Sequence, residues 1–409
     1  MKKELLLLTL GCLSQVAFSQ NKPVFKGQDP IQGVSTETKP VQKQWKGIFP
    51  VGSVFFRNDF EGGRLNGITQ VNDTLYSALI TSENTPINGS PWYSFKVWSN
   101  TPKRIVLQLT YQQGSRHRYP PKLSHDGTIW TELNHSDSGE SAPVSYSFPI
   151  SVSRDTLWVA AQELTTSKHV QAWIKTLTKK PYIKSESFGK SRDGRALPLL
   201  RIGNLSSKKR IIITGRQHPP EVTGHLALKA FVETLAGDSE LAKKFRSEYL
   251  IYVMPLLNPD GVDEGFWRHN SGGIDLNRDY DTFHQPESKA VRDFLIREIK
   301  QPGNQLVFGL DFHSTGDDIY YTVDPKLIET NREFIPTWLA HLKGRLPGYE
   351  PNVKPLYLGG PTYTAYSYFF KTYGAQSLVY EIGDRTPRPF IQEKSQVAAE
   401  ELMKLLVTE

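Results

Sequence analysis

The sequence predicts two regions of different fold class, an all-β sandwich over 51–165 and an α/β domain over 166–409. Three observations carry this. The chain has 409 residues, more than a single core usually organises, so its length points to two or three domains. Between 51 and about 162, short β-rich runs with period-two alternation recur at fairly regular spacing, separated by turn residues, as in a sandwich. From about 180, apolar strand-length runs alternate with helix-length amphipathic stretches, the pattern of a sheet with helices on its faces.

The N-terminus carries Lys2 and Lys3, an apolar middle from Leu5, and Ala17-Phe-Ser19 as a small-x-small exit. That pattern is read as a signal peptide over 1–19, too short for a membrane span, and implies export to the periplasm or the medium. Thr9-Leu-Gly-Cys12 faintly resembles a lipoprotein site, but Leu10 is large for its position, so lipid anchoring at Cys12 ranks second. A polar, proline-bearing stretch over 20–50 reads as a mobile lead-in.

In the first region, 74–80, 92–98, 104–111, 144–148 and 155–161 read as strands. Trp92, Trp98, Trp130 and Trp158 suit a sandwich core, with glycan or protein contact through the sandwich as the alternative use. A helix is expected over 166–178 with Val170, Trp173, Ile174 and Leu177 on one face. Strands follow at 197–202, 210–214, 249–255, 306–312 and 377–381. Helices are expected within 222–247 (one or two) and over 286–299, 331–343 and 389–407.

Composition narrows the class of partner. At 38% hydrophobic and 22% charged residues the chain is that of an ordinary folded protein. Its net charge of +7 is not gathered into a dense Lys/Arg block, so nucleic acid is disfavoured as a partner. Cys12 is the only cysteine, which leaves histidines and carboxylates as the metal-ligating groups.

The strand 210–214 runs into His218-Pro-Pro-Glu221. An imidazole and a carboxylate three residues apart at a strand end can face one point, a ligand pair that zinc accepts. A catalytic zinc takes three protein ligands and keeps one open position. His313 is the third candidate, where the strand 306–312 runs out. The second His-x-x-Glu, His284 to Glu287, reads as structural, because Pro286 and Glu287 open a helix.

Further along lie Asn258-Pro-Asp-Gly261, Phe266-Trp-Arg268, Asp275-Leu-Asn-Arg278 and Glu381-Ile-Gly-Asp384. With His218-x-x-Glu221 and Asp311-x-His313-Ser, this order resembles the zinc carboxypeptidase (metallocarboxypeptidase) family over about 185–409. The upstream block, with Pro91-Trp-Tyr-Ser-Phe95, Arg118-Tyr-Pro120 and Trp130, resembles more loosely the β-sandwich of the cytosolic-carboxypeptidase branch. The resemblance implies a mixed-sheet α/β/α metallocarboxypeptidase domain over 166–409, preceded by the β-sandwich domain. It also implies one Zn2+ per chain held by His218, Glu221 and His313, with peptide or protein C-termini as substrates.

By the same resemblance, Asp275 would hold the far nitrogen of His218, and Asn277 and Arg278 would grip the substrate's terminal carboxylate. Arg268 would face the developing oxyanion, and Glu381 would activate the zinc-bound water. Tyr357 is the candidate for the tyrosine that caps substrate in this family, with Tyr363 and Tyr366 behind it. Pro220 stands where the digestive enzymes carry a substrate-binding arginine. The alternatives are an envelope amidase acting on murein stem peptides, motivated by export and Pro220, and a non-catalytic binding protein.

Overall fold

The computed structural model describes residues 33–85, 89–133 and 143–408. The expected signal peptide and Cys12 lie outside them. Gly33–Glu409 is one compact unit.

Period-two alternation builds the N-terminal half. The strands are β1 (Ile48–Val51), β2 (Val54–Arg57), β3 (Gly67–Gln70), β4 (Leu75–Ile80), β5 (Ser94–Ser99), β6 (Lys103–Tyr111), β7 (Lys122–Ser124), β8 (Thr131–Glu132), β9 (Ser145–Val152) and β10 (Leu157–Ala160). In β4, Tyr76, Ala78 and Ile80 are buried while Leu79 faces solvent, as a pleated strand with one covered face requires. Two sheets result, ordered β1-β2-β5-β10-β7-β8 and β3-β4-β6-β9. They enclose a core that includes Phe56, Tyr76, Phe95, Leu107 and Phe148. Val222 and Trp267, from later in the chain, belong to that same core. Trp92 is buried and donates to Gly62 O at 2.8 Å. Trp98 stacks on Phe55, and Trp158 lies under the Lys96 ammonium, 3.9 Å from its ring centre.

The C-terminal half holds one eight-stranded mixed sheet. Its strands are β11 (Ile183–Lys190), β12 (Ala196–Gly203), β13 (Lys209–Gly215), β14 (Tyr249–Met254), β15 (Gln305–Thr315), β16 (Ile319–Val323), β17 (Val353–Tyr357) and β18 (Gln376–Gly383), in the order β11-β12-β14-β13-β15-β18-β16-β17. The central pairings β14-β13, β13-β15 and β15-β18 are parallel. Strands buried on both faces need continuous apolar runs, and Ile211 to Ile213 and all of β14 supply them.

The helices are α1 (Ser167–Leu177), α2 (Val222–Leu235), α3 (Glu240–Glu248), α4 (Pro259–Glu264), α5 (Pro286–Ile299), α6 (Phe334–Arg345), α7 (Ala365–Tyr373) and α8 (Arg388–Thr408). Ile211 and Ile213 face the core built by α1, α2, α3, α6 and α8, whereas Ile212 faces the one built by α5 and α7. The sheet is thus covered on both sides, as expected. The expected face of α1, Val170, Trp173, Ile174 and Leu177, is its buried face. Among the described residues no helix is long and apolar enough to cross a membrane.

The lead-in corrects an expectation of mobility. In its described part, Lys39 N donates to Gly272 O at 2.8 Å and Gln44 Nε2 donates to Gly63 O at 2.7 Å. The Thr36 hydroxyl meets Thr282 Oγ1 at 2.6 Å and His284 Nδ1 at 3.0 Å. Polar residues here are held by hydrogen bonds to segments later in the chain, a property composition does not report.

Candidate metal centre

Parallel pairing decides which side chains meet. β13, β15 and β18 lie side by side, so their carboxyl ends open at one edge, where sheets of this kind place reactive groups. His313 and Glu381 are direct partners in the β15-β18 ladder. The loop after β13 brings in His218 and Glu221. Arg216 starts that loop with φ of 53°, a left-handed conformation costly for a side chain this large, and its Nη2 donates to Pro219 O at 2.8 Å. At Gly224 a Cβ would sit 2.4 Å from His313 O, so glycine lets α2 start directly against β15.

His218, Glu221 and His313 are all buried, and one donor atom from each lies within 4.8 Å of the others. Glu221 Oε1 is 2.8 Å from His218 Nδ1, Oε2 is 2.8 Å from His313 Nδ1, and the two Nδ1 atoms are 3.2 Å apart. The far nitrogens are held by carboxylates: His218 Nε2 by Asp275 Oδ1 at 2.9 Å, and His313 Nε2 by Asp311 Oδ2 at 2.9 Å. With protons on those Nε2 atoms, two imidazole lone pairs and a carboxylate converge on one buried point. That donor set fits a zinc ion, with each histidine's tautomer fixed from behind.

The carboxylates beside the two histidines are held ionised, and without a metal ion they also favour a proton on His313. Burial would raise the pKa of Glu221, but His218 and His313 more than offset it and hold the group well below the usual carboxylate range. Burial opposes charge on His313, yet Asp311 and Glu221 hold its pKa well above normal. Asp275 is also kept ionised, by Arg268 first and then His218, against the effect of burial.

Glu381 differs. Burial pushes its pKa up, Glu221 adds to this, and His313, Arg268 and Arg118 only partly oppose it. Its Oε2 is buried without a hydrogen-bond partner, an orphaned acceptor at the edge of the ligand cluster.

The other expected residues fall around this centre. Arg268 Nε donates to Asp275 Oδ2 at 2.8 Å. Asn277 Nδ2 lies 3.3 Å from His313 Nε2, and its Oδ1 accepts from Ala365 N, at the start of α7, at 3.0 Å. Arg278 Nη1 donates to Asn277 O at 2.7 Å. Tyr357 packs with Val323, Ile328, Tyr366 and Val379, and its hydroxyl donates to Gly360 O at 2.8 Å. The Tyr366 phenol is the one that feels Arg278: burial raises its pKa, and the Tyr357 backbone and the Arg278 guanidinium partly offset this. Glu287 is in its structural role, accepting from Arg192 N and Asn270 Nδ2, each at 2.9 Å.

Residues 170–344 match a family model described as zinc carboxypeptidase. Over those residues the chain is similar to zinc carboxypeptidases. Zinc is that family's metal, and His218, Glu221 and His313 could hold it. The chain is 27% identical to cytosolic carboxypeptidase 6 of Mus musculus and 25% identical to cytosolic carboxypeptidase 6 of Caenorhabditis elegans. The matches cover 70% and 71% of this chain, and 58% and 70% of those proteins, so the chain spans less than two thirds of the mouse relative. In fold it resembles a metallo-carboxypeptidase from Burkholderia cenocepacia (TM-score 0.72, 18% identity, 87% of this chain and 98% of that one). It also resembles one from Pseudomonas aeruginosa (TM-score 0.71, 19% identity, 86% and 98%).

These relatives overturn one expectation. They are cytosolic carboxypeptidases by name, which contradicts the exported protein, periplasmic, secreted or lipid-anchored at Cys12, read from the N-terminus. A basic start and a short apolar run are weak markers, because a chain can begin that way without being handled as an export signal.

Around the metal centre, three residues take part to which the sequence assigned no role: Asp311 and Arg118, named only as members of motifs, and Glu83, not named at all. Asp311 had a usable signal, since residues two apart on a strand share a face and Asp311 precedes His313 by two. Arg118 was marked only by its Arg118-Tyr-Pro120 motif and Glu83 by nothing, because each comes from a loop of the N-terminal half and meets its partner only through the fold.

Proposed function

We propose that the chain is a metallocarboxypeptidase that hydrolyses C-terminal peptide bonds, using one zinc ion held by His218, Glu221 and His313. The observation that carries this is the buried, unpartnered Glu381 carboxyl oxygen on the strand beside His313. Zinc, when bound, polarises the scissile carbonyl and makes a neighbouring water more acidic.

The protein's own groups do the rest. Glu381 accepts the proton of the attacking water and hands it to the leaving amine. Its buried setting favours the protonated form, so it also serves as the acid in the second half of the reaction. Arg268 donates to the oxyanion that develops on the carbonyl. Asp275 and Asp311 keep both histidines in the ligating tautomer. Arg278 takes the substrate's terminal carboxylate, with Asn277 fixing its backbone against α7. We place the boundary between the sandwich and the catalytic part near residue 165. The sandwich tryptophans serve as packing rather than as a glycan site, in keeping with Trp92's burial and the pairing of Trp98 and Trp158.

The murein-amidase reading rested on export and on Pro220, and the cytosolic carboxypeptidase relatives remove the first of these supports. A purely binding role leaves the orphaned Glu381 oxygen without a task. The test is Glu381→Gln in the zinc-loaded protein, assayed on peptides with free and amidated C-termini. Hydrolysis should drop by about 10²–10⁴-fold with the zinc content unchanged, and amidation should abolish cleavage by the wild type. Near wild-type turnover by the glutamine variant at full zinc content would overturn this mechanism.

A further inference from the structure

The loop that carries Arg268 is fastened from the N-terminal sheets. Glu83, in the segment after β4, is fully buried. Its Oε2 accepts from Trp267 N at 2.7 Å, and its Oε1 accepts from Arg268 N at 3.1 Å and His269 N at 2.9 Å. Oε1 also lies 2.9 Å from His269 Nδ1. One carboxylate thus satisfies three successive backbone donors, 184 to 186 residues away in sequence.

Trp267 locks the same loop from the other direction. Its ring is fully buried in the sandwich core, and its Nε1 donates to Trp92 O at 3.1 Å. With Trp267 committed to the sandwich and His269 to Glu83, the side chain between them reaches the metal centre, where Arg268 Nε donates to Asp275 Oδ2 at 2.8 Å. Asp275 in turn holds His218 at 2.9 Å. The link from the sandwich to a metal-ligand residue is therefore continuous: Glu83, the Arg268 backbone, the Arg268 guanidinium, Asp275, His218.

A buried carboxylate is costly, and a glutamine or an apolar side chain would leave at least one of the three N–H groups unsatisfied. The acid is the side chain that can accept on both oxygens at once.

We propose that Glu83 is a positioning residue for hydrolysis: it fixes the 267–269 loop so that Arg268 meets the scissile carbonyl, which makes the β-sandwich part of the catalytic unit. This rests on the carboxypeptidase reading above, and on Arg268 as the oxyanion donor.

The test is a double-mutant cycle in the zinc-loaded full chain, comparing wild type, Glu83→Gln, Arg268→Ala and the double variant. Peptide hydrolysis, zinc content and thermal midpoint are read for each. Glu83→Gln should lower kcat by about tenfold to a hundredfold, the effect of misplacing a catalytic group by about an ångström. KM should change by less than about threefold, since the lost contact is made in the transition state, and one zinc per chain should remain. In the Arg268→Ala background, Glu83→Gln should change kcat by less than about twofold, because both variants remove one interaction. Glu83→Asp, which keeps the charge but shortens the reach, carries the same comparison if the glutamine variant does not fold. The proposal is overturned if the Glu83 variant keeps wild-type kcat, or if the two losses simply multiply, the mark of a structural role independent of Arg268. Wild-type protein that cleaves no C-terminally free peptide would sink the carboxypeptidase reading itself, and the proposal with it.

Discussion

Arg118 and Asp384 form an ion pair across 266 residues of sequence, with Nε donating to Oδ2 at 2.7 Å. Asp384 follows the Glu381 strand, and Arg118 sits between β6 and β7, oriented by the Ser90 hydroxyl at 2.6 Å. The pair ties the sandwich to the strand end that carries Glu381. Replacing Arg118 by leucine would leave a buried carboxylate without its counter-charge. The expected cost is about 3 kcal/mol, the lower end for breaking a buried pair because Arg118 keeps some solvent contact. Denaturant unfolding of the variant measures it, and an unchanged midpoint would mean that the pair contributes nothing net.

Asp311 makes a second prediction. It holds His313 Nε2 and is itself anchored by Thr214 Oγ1 and Gln217 Nε2, each at 2.7 Å. Asp311→Ala should weaken zinc binding by about 10–100-fold, the usual effect of losing a carboxylate behind a ligating histidine. Chelator competition reads the affinity directly. Equal affinity in the two proteins would show that the strand alone orients the ring.

Tyr357 and Tyr366 are separable by their hydroxyls. The Tyr357 hydroxyl is already used on Gly360 O, whereas Tyr366 lies in the field of Arg278. Tyr366→Phe should raise KM for a C-terminally free peptide by about tenfold, the value of one hydrogen bond to a charged group, while Tyr357→Phe should leave KM unchanged. The reverse result would return the substrate-capping role to Tyr357.

Glu83 has a pH signature. Burial would raise its pKa, but the His269 ring first, then Arg64 and the Trp267 N–H, hold it at about 2, below its ordinary 4.5. A depressed carboxyl pKa stabilises the fold above pH 4.5, and that stability is lost as pH falls towards 2. The whole effect is about 3 kcal/mol. Wild type should therefore exceed Glu83→Gln in stability at pH 7 and lose that margin progressively below pH 4. A margin constant from pH 7 to pH 2 would contradict it.

Local pattern carried much of the architecture. The expected helix over 286–299 coincides with α5, because Pro286 can only open a helix and the apolar spacing keeps its phase to Ile299. What escaped was either weakly patterned or in conflict with propensity. β11 has four exposed residues in a row and shows no alternation. α7, Ala-Tyr-Ser-Tyr-Phe-Phe-Lys-Thr-Tyr, is made largely of residues that favour strands, and is set by its Thr364 and Ser367 capping box and by burial against the sheet.

The sequence by itself marked the candidates: which histidines and carboxylates could hold a metal, and which residues the family resemblance gives a role. Those properties live in residue type and short spacing, so they survive without coordinates. Only the tertiary structure decided the alignment of His313 with Glu381, the Asp275 bridge between His218 and Arg268, and the entry of Glu83 and Arg118 from the sandwich. Each depends on strand register or on packing between segments far apart in sequence. Register is fixed by the burial of whole faces, which no single stretch of the chain contains.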